Sequence, residues 1–399
     1  MVSAWRRLVG SPRFCVALCG ALLFAFKVTP LYVISWSAVS LNALALLVAL
    51  PLSTVVHEAA HAFVAHAIGL CVLRVRLGYG PIIWSRYIGF TSVEIRRIPL
   101  SGDVWVVAPS TRWLRARLMA TAAAGPLSNA VVLAASVWLL CNAHAAPDAT
   151  VRPLPALVFA VVNAVLFVKN AVPLPRRAEP PEERMGSTDG WVALAAPFRD
   201  PRYLRNLVST YVAWKVAQLL LLGRGSEAGE LLDDGLQNDP ESRCLRWAYA
   251  TLLLQRQCWF AAGEELRDLV DEGTPEATPI QANDLAWAYV MQDDPALLEE
   301  ADRLSSRVFG RAPYEPLVQR TRGAVLLARG SLEHAQELLT FAFENDPRRY
   351  KAVTACLLTI LHARKGDPAA AQTWLEKARY WNPECYLLPR AEAGLTGGE

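Results

Sequence analysis

The sequence predicts a mainly α-helical protein in two unlike halves. The first is a polytopic helical membrane domain carrying a small β-strand surface insert, and the second is an α-solenoid of repeated helix pairs. Three observations predict this. Residues 14–56 hold a single charge, Lys27. Residues 1–190 carry 17 Lys+Arg against 8 Asp+Glu, whereas residues 191–399 carry 23 against 29. Prolines recur at 240, 275, 313, 347 and 383, every 34–38 residues. The expected divisions are an N-terminal segment over 1–36 with an additional transmembrane helix, a membrane core over 37–191, and a repeat domain over 200–399.

The first 30 residues pair Arg6, Arg7 and Arg13 with an apolar run, but no small-residue cleavage site follows, so this reads as a membrane segment that stays. About 20 apolar residues span the hydrocarbon core as a helix. Residues 14–56 thus allow two spans that turn near Pro30–Ser37, the second running on into His57-Glu58-Ala59-Ala60-His61. Residues 118–141 predict a third span, and 153–175 a fourth, with Lys169 near its end. Cytoplasmic loops carry the excess of Lys and Arg. Eight arginines lie between 70 and 117, which puts that segment, the N-terminus and the repeats in the cytoplasm; the expected setting is a multi-pass protein of a bacterial inner membrane.

Segment 70–112 alternates apolar and polar residues, is rich in β-branched and aromatic types, and is punctuated by Gly78, Gly80-Pro81, Gly89 and Ser101-Gly102. That pattern predicts short strands and hairpins at the membrane surface. Residues 176–188 predict a polar, proline-containing loop. Beyond 200 the pattern is helical. Ala228, Ala301, Ala335 and Ala371 each stand 12 residues before a repeat proline, with Gly263 in the equivalent place before Pro275. Gly330 and Gly366 match across the last two units. These offsets resemble tetratricopeptide repeats, two antiparallel helices per unit, in five imperfect copies. Eight scattered cysteines form no CxxC pair and predict no disulfide framework. The overall charge of +3 gives no argument for nucleic-acid binding.

The chemistry lies in His57-Glu58-Ala59-Ala60-His61. Residues four apart share a helix face, so His57 and His61 can both offer nitrogen to one Zn2+. Glu58 beside them can take a proton from a zinc-activated water and return it to a leaving amine. A charge at the bilayer centre costs about 2.5–3.5 kcal/mol even on lenient scales, so ionisable residues there point to function. A third ligand must come from elsewhere. His66 lies nine positions from His57, on the opposite helix face. The metzincin pattern is excluded, because Val64 and Ala67 stand where it needs Gly and His.

The chain resembles the site-2 proteases, intramembrane zinc metalloproteases. The resemblance rests on the HExxH at His57–His61, on Gly125-Pro126-Leu127-Ser128-Asn129 in the next span, and on Asn170-Ala171-Val172-Pro173 followed by Asp189-Gly190. It covers about residues 37–191. In that family's commonest form Asp-Gly follows the proline within a few residues, whereas here a polar insert separates them. The resemblance implies that Asp189 is the third zinc ligand. The rival carboxylates Glu179, Glu182 and Glu183 sit among Pro and Arg in the loop. It also implies that Asn129 and Asn170 shape the cleft or bind the substrate backbone, whereas the plain reading of Asn129, Asn163 and Asn170 is helix–helix hydrogen bonding. The expected activity is hydrolysis of peptide bonds in or near transmembrane segments, in regulated intramembrane proteolysis. The expected partners are a membrane-protein substrate, the bilayer and a protein on the repeat surface. The alternative is a membrane-anchored repeat scaffold with a structural or inactive metal site. A soluble zinc hydrolase would leave the apolar spans unexplained.

Overall fold

The computed structural model describes residues 36–144, 154–174, 188–271 and 279–396. The expected first span, most of the loop 142–152, the insert with its glutamates and Pro275 lie outside these residues. The chain divides into two compact units, Met1–Tyr211 and Val212–Glu399.

In the first unit, α1 (Trp36–Ala67) and α2 (Leu114–His144) contain stretches long and apolar enough to cross a membrane, Ala43–Ala67 and Leu114–Asn142. Helix α3 (Leu154–Ala171) is shorter. Its 18 residues rise about 27 Å, close to the ~30 Å hydrocarbon thickness. The three helices pack on one another, with Ala49 and Leu50 of α1 buried against Val158, Val161, Val162 and Leu166 of α3. Pro51 lies inside α1, yet the helix continues through it to the histidines.

Between α1 and α2 run two long antiparallel strands, β1 (Cys71–Ile88) and β2 (Thr91–Val107). Both bend, so that Arg74–Leu77 of β1 pair with residues 102–105 on one side and face 92–95 on the other. The expected short strands are therefore segments of two bent ones. Gly78 and Gly80 sit at the bend of β1 with φ of 94° and 87°, a region that glycine enters without steric cost. A Cβ at Gly78 would also stand 2.6 Å from the Ile98 carbonyl. The hairpin base is held by a cluster of Ala65, Leu70, Ala108 and Leu114 with Ala196, Leu204 and Leu207. The last three come from the segment after α4 (Asp189–Ala195), a short helix packed against α2 and α3.

Helix α5 (Pro201–Leu221) contains the division between the units. The second unit continues with α6 (Gly225–Asn238), α7 (Arg243–Gln255), α8 (Trp259–Asp271), α9 (Pro279–Met291), α10 (Pro295–Arg311), α11 (Pro316–Ala328), α12 (Leu332–Asn345), α13 (Arg348–Arg364), α14 (Pro368–Trp381) and α15 (Leu388–Thr396). It is an α-solenoid of helix pairs. The repeat alanines Ala228, Ala301, Ala335 and Ala371 are wholly buried, as small residues at close helix crossings must be. Gly330 and Gly366, at φ of 81° and 74°, end α11 and α13. In each case the next amide closes back on the helix, Ser331 N to Leu326 O and Asp367 N to His362 O, a Schellman-type C-cap.

Candidate metal centre

Helix α1 carries His57, Glu58 and His61 to the interior of the first unit, where all three are buried. The spacing of four residues places the two imidazoles side by side, with Nε2 atoms 3.1 Å apart. Asp189 arrives from α4, its Oδ2 3.0 Å from His57 Nε2 and its Oδ1 3.4 Å from His61 Nε2. Among the described residues, these three form a group whose ligand atoms all lie within 4.8 Å of one another. His66 is exposed and stands apart from it.

The placement of Asp189 follows from two neighbours. Thr188 caps α4; its hydroxyl donates to Val172 O at 2.7 Å and accepts from Leu174 N at 3.0 Å. The polar insert therefore leaves and returns at one point, and its length does not displace the aspartate. Gly190 follows because α4 meets the end of α3 there: any Cβ would overlap the Ala171 carbonyl.

Two further glycines make room. Gly125 of α2 lies against the imidazoles, and a Cβ there would be 2.5 Å from His57 Nε2 and closer still to His61 Nε2. Gly102 of β2 lies over the acid, where a Cβ would come within 2.6 Å of Glu58 Oε1. The sequence carried Gly125 within its Gly-Pro motif. Gly102 was legible only as strand punctuation, and Thr188 only as the end of the polar loop 176–188.

The donor set fits zinc. His61 Nδ1 lies 2.6 Å from the Thr121 carbonyl, which can only accept, so the neutral ring carries its proton on Nδ1 and its lone pair on Nε2. His57 Nδ1 lies 2.6 Å from Asn129 Oδ1 and is protonated likewise. Two lone pairs and a carboxylate then converge, which is favourable only around a cation. Ligands about 2.0–2.2 Å from zinc in a tetrahedron are about 3.3–3.6 Å apart, within a few tenths of an ångström of the 3.1, 3.0 and 3.4 Å separations observed. Asn170 Nδ2 stands 3.5 Å from His57 Nε2, at the edge of the site. Asn129 is fully buried, with its amide engaged on both sides.

The model for Peptidase family M50 matches residues 45–172, the stretch that supplies both histidines and Glu58. A curated relative, zinc metalloprotease Rip1 of Mycolicibacterium smegmatis, is 35% identical over 131 residues, covering 26% of this chain and 30% of the relative. The match thus spans under a third of that relative's length. The resemblance to the site-2 proteases drawn from the motifs holds on both comparisons. Among solved structures, the chain is similar to TTC0263, a tetratricopeptide protein of Thermus thermophilus, at 22% identity and a TM-score of 0.38, over 47% of this chain and 99% of that one. It is also similar to Pseudomonas aeruginosa pilF at 12% identity and a TM-score of 0.33, over 51% of this chain and 86% of that one.

Proposed function

From the match of residues 45–172 to Peptidase family M50, we propose that this chain is an intramembrane zinc endopeptidase that cuts membrane proteins in or beside their transmembrane segments. The observation that carries this reading is the convergence of His57, His61 and Asp189 beside Glu58, with both histidines and the acid on a helix apolar enough to cross a membrane. In this reading His57, His61 and Asp189 hold the zinc. When bound, zinc polarises the scissile carbonyl and makes a nearby water acidic. Glu58 accepts the proton from that water and then hands it to the leaving amide nitrogen. Gly102 lets the β2 backbone pass close against the Glu58 carboxylate, where any side chain would collide with it, and an extended substrate would add as a strand in this hairpin region. Asn170, at the rim, is positioned to hold the substrate backbone. The helix pairs of the second unit recruit substrate or partners from the cytoplasm. A purely structural metal site would have no use for Glu58, which weighs against the scaffold alternative.

The test is cleavage of a candidate membrane substrate by the reconstituted full chain. Glu58→Gln is expected to cut at least about 10²-fold more slowly while retaining zinc, since general acid–base catalysis contributes 10²–10⁴. Cleavage at the wild-type rate by that variant would refute the mechanism.

A further inference from the structure

We infer that Asn163, acting through Asn129, fixes the tautomer of His57 and so keeps its Nε2 lone pair directed at the metal position. This deepens the metalloprotease reading and rests on it. A chain of hydrogen bonds crosses all three apolar helices. His57 Nδ1 lies 2.6 Å from Asn129 Oδ1. Asn129 Nδ2 donates to Asn163 Oδ1 at 2.8 Å. Asn163 Nδ2 donates to the Phe159 carbonyl at 2.9 Å and to Ser53 Oγ at 3.0 Å.

The direction of this chain is decided at its far end. The two ends of an asparagine amide are alike in shape and opposite in hydrogen bonding. The Phe159 carbonyl is a backbone acceptor and cannot donate, so the Asn163 group facing it is the NH2. Its oxygen then faces Asn129, which must present its own NH2. The Asn129 oxygen in turn faces His57 Nδ1, which must carry the proton. The neutral ring is left with its lone pair on Nε2, the atom 3.0 Å from Asp189. His61 receives the same instruction directly, from the Thr121 carbonyl. Both rings are thus set by a backbone carbonyl, one at a single bond and the other through two amides.

Asn129 and Asn163 are each 0% exposed, and water does not compete with the chain. A buried amide left unmatched loses its hydration without a replacement hydrogen bond, so a reversed orientation at any link is disfavoured at the next. These asparagines are positioning residues. With both amide groups of Asn129 engaged, the substrate-binding role expected for it passes to Asn170 alone.

The rival account is that the amides only glue helices together. Zinc affinity separates the two, measured by chelator competition on the purified full chain in detergent. Asn163→Ala and Asn129→Leu are expected to weaken zinc about 10–100-fold, the usual cost of losing a group that orients a ligand. Asn129→Asp keeps the acceptor for His57 and should lose less than the roughly 10-fold minimum expected when the orienting group is removed. In metal-stripped protein labelled with ¹⁵N-histidine, one ring should move from the Nδ1–H toward the Nε2–H form in Asn163→Ala. Unchanged zinc affinity and unchanged ring spectra in Asn163→Ala would overturn the inference, even with the protein less stable. Should Asn129→Leu not fold, the contrast between Asn163→Ala and Asn129→Asp decides alone: equal affinities reject the relay. Undiminished zinc binding in His57→Ala would instead remove the metalloprotease reading itself.

Discussion

The side chains at the centre are held by what is missing around them as much as by what is present. Gly125 is the sharpest case, since a Cβ there would meet both Nε2 atoms. Gly125→Ala should therefore lower zinc affinity by about 10-fold or more, comparable to the loss of an orienting group. Zinc titration against a chelator measures it, and wild-type affinity in that variant would show that α2 can retreat from α1. The sequence made His57, Glu58 and His61 legible because one helix carries them at a spacing with a single geometric meaning. Asp189 was reachable only by resemblance, because nothing in its local sequence says that it returns to α1. Asn163 was legible as a polar residue in an apolar helix, but its partners belong to two other helices. No periodicity could report them.

The elements divide in the same way. Long apolar runs fix α1 and α2, since burial or a bilayer is the only environment that suits them. The hairpin was legible as strand by alternation, but its bends arise from positive-φ glycines and long-range pairing, which local pattern does not encode. The junction of α3 and α4 shows how an insertion is tolerated. Leu174 and Thr188 are joined by a 3.0 Å hydrogen bond, so the chain closes on itself across the intervening residues. Replacing residues 175–187 with a short glycine linker should leave zinc stoichiometry and affinity at wild-type values, because the Thr188 cap and Gly190 remain. A loss of zinc by chelator titration would mean that the insert itself contributes to the site. At the hairpin, Gly102→Ala should slow cleavage about 10²-fold, the scale of a misplacement of about 1 Å near reacting groups, with zinc retained. Equal rates in a cleavage assay would show that β2 yields freely over Glu58.

Over the whole molecule, the two units obey different rules. The first is apolar and basic, and its buried ionisable residues His57, Glu58 and His61 lie at the metal centre. The second is acidic and builds a conventional core, yet it too takes in a carboxyl group. Asp284 of α9 accepts a hydrogen bond from the Trp247 indole at 3.1 Å. Burial pushes its carboxyl pKa up to about 6, while hydrogen bonds from Trp247 and Asn283 and the nearby Arg320 pull the other way. In the unfolded chain the group has its ordinary pKa near 3.9. Between about pH 4 and 6 the folded repeats therefore bind more protons than the unfolded chain, and stability must fall as pH rises through that window and level off above it. Asp284→Asn keeps an acceptor for Trp247 and has nothing to ionise. The variant should match wild type near pH 4 and exceed it at pH 8 by ~1–2 kcal/mol, less than the full linkage value because the group is only partly buried. Hydrogen exchange of α9 in the full chain at the two pH values reads this locally. Slower exchange in the variant only at pH 8 is the expected result. Equal exchange there would mean that Arg320 and the neighbouring amides already compensate the buried charge.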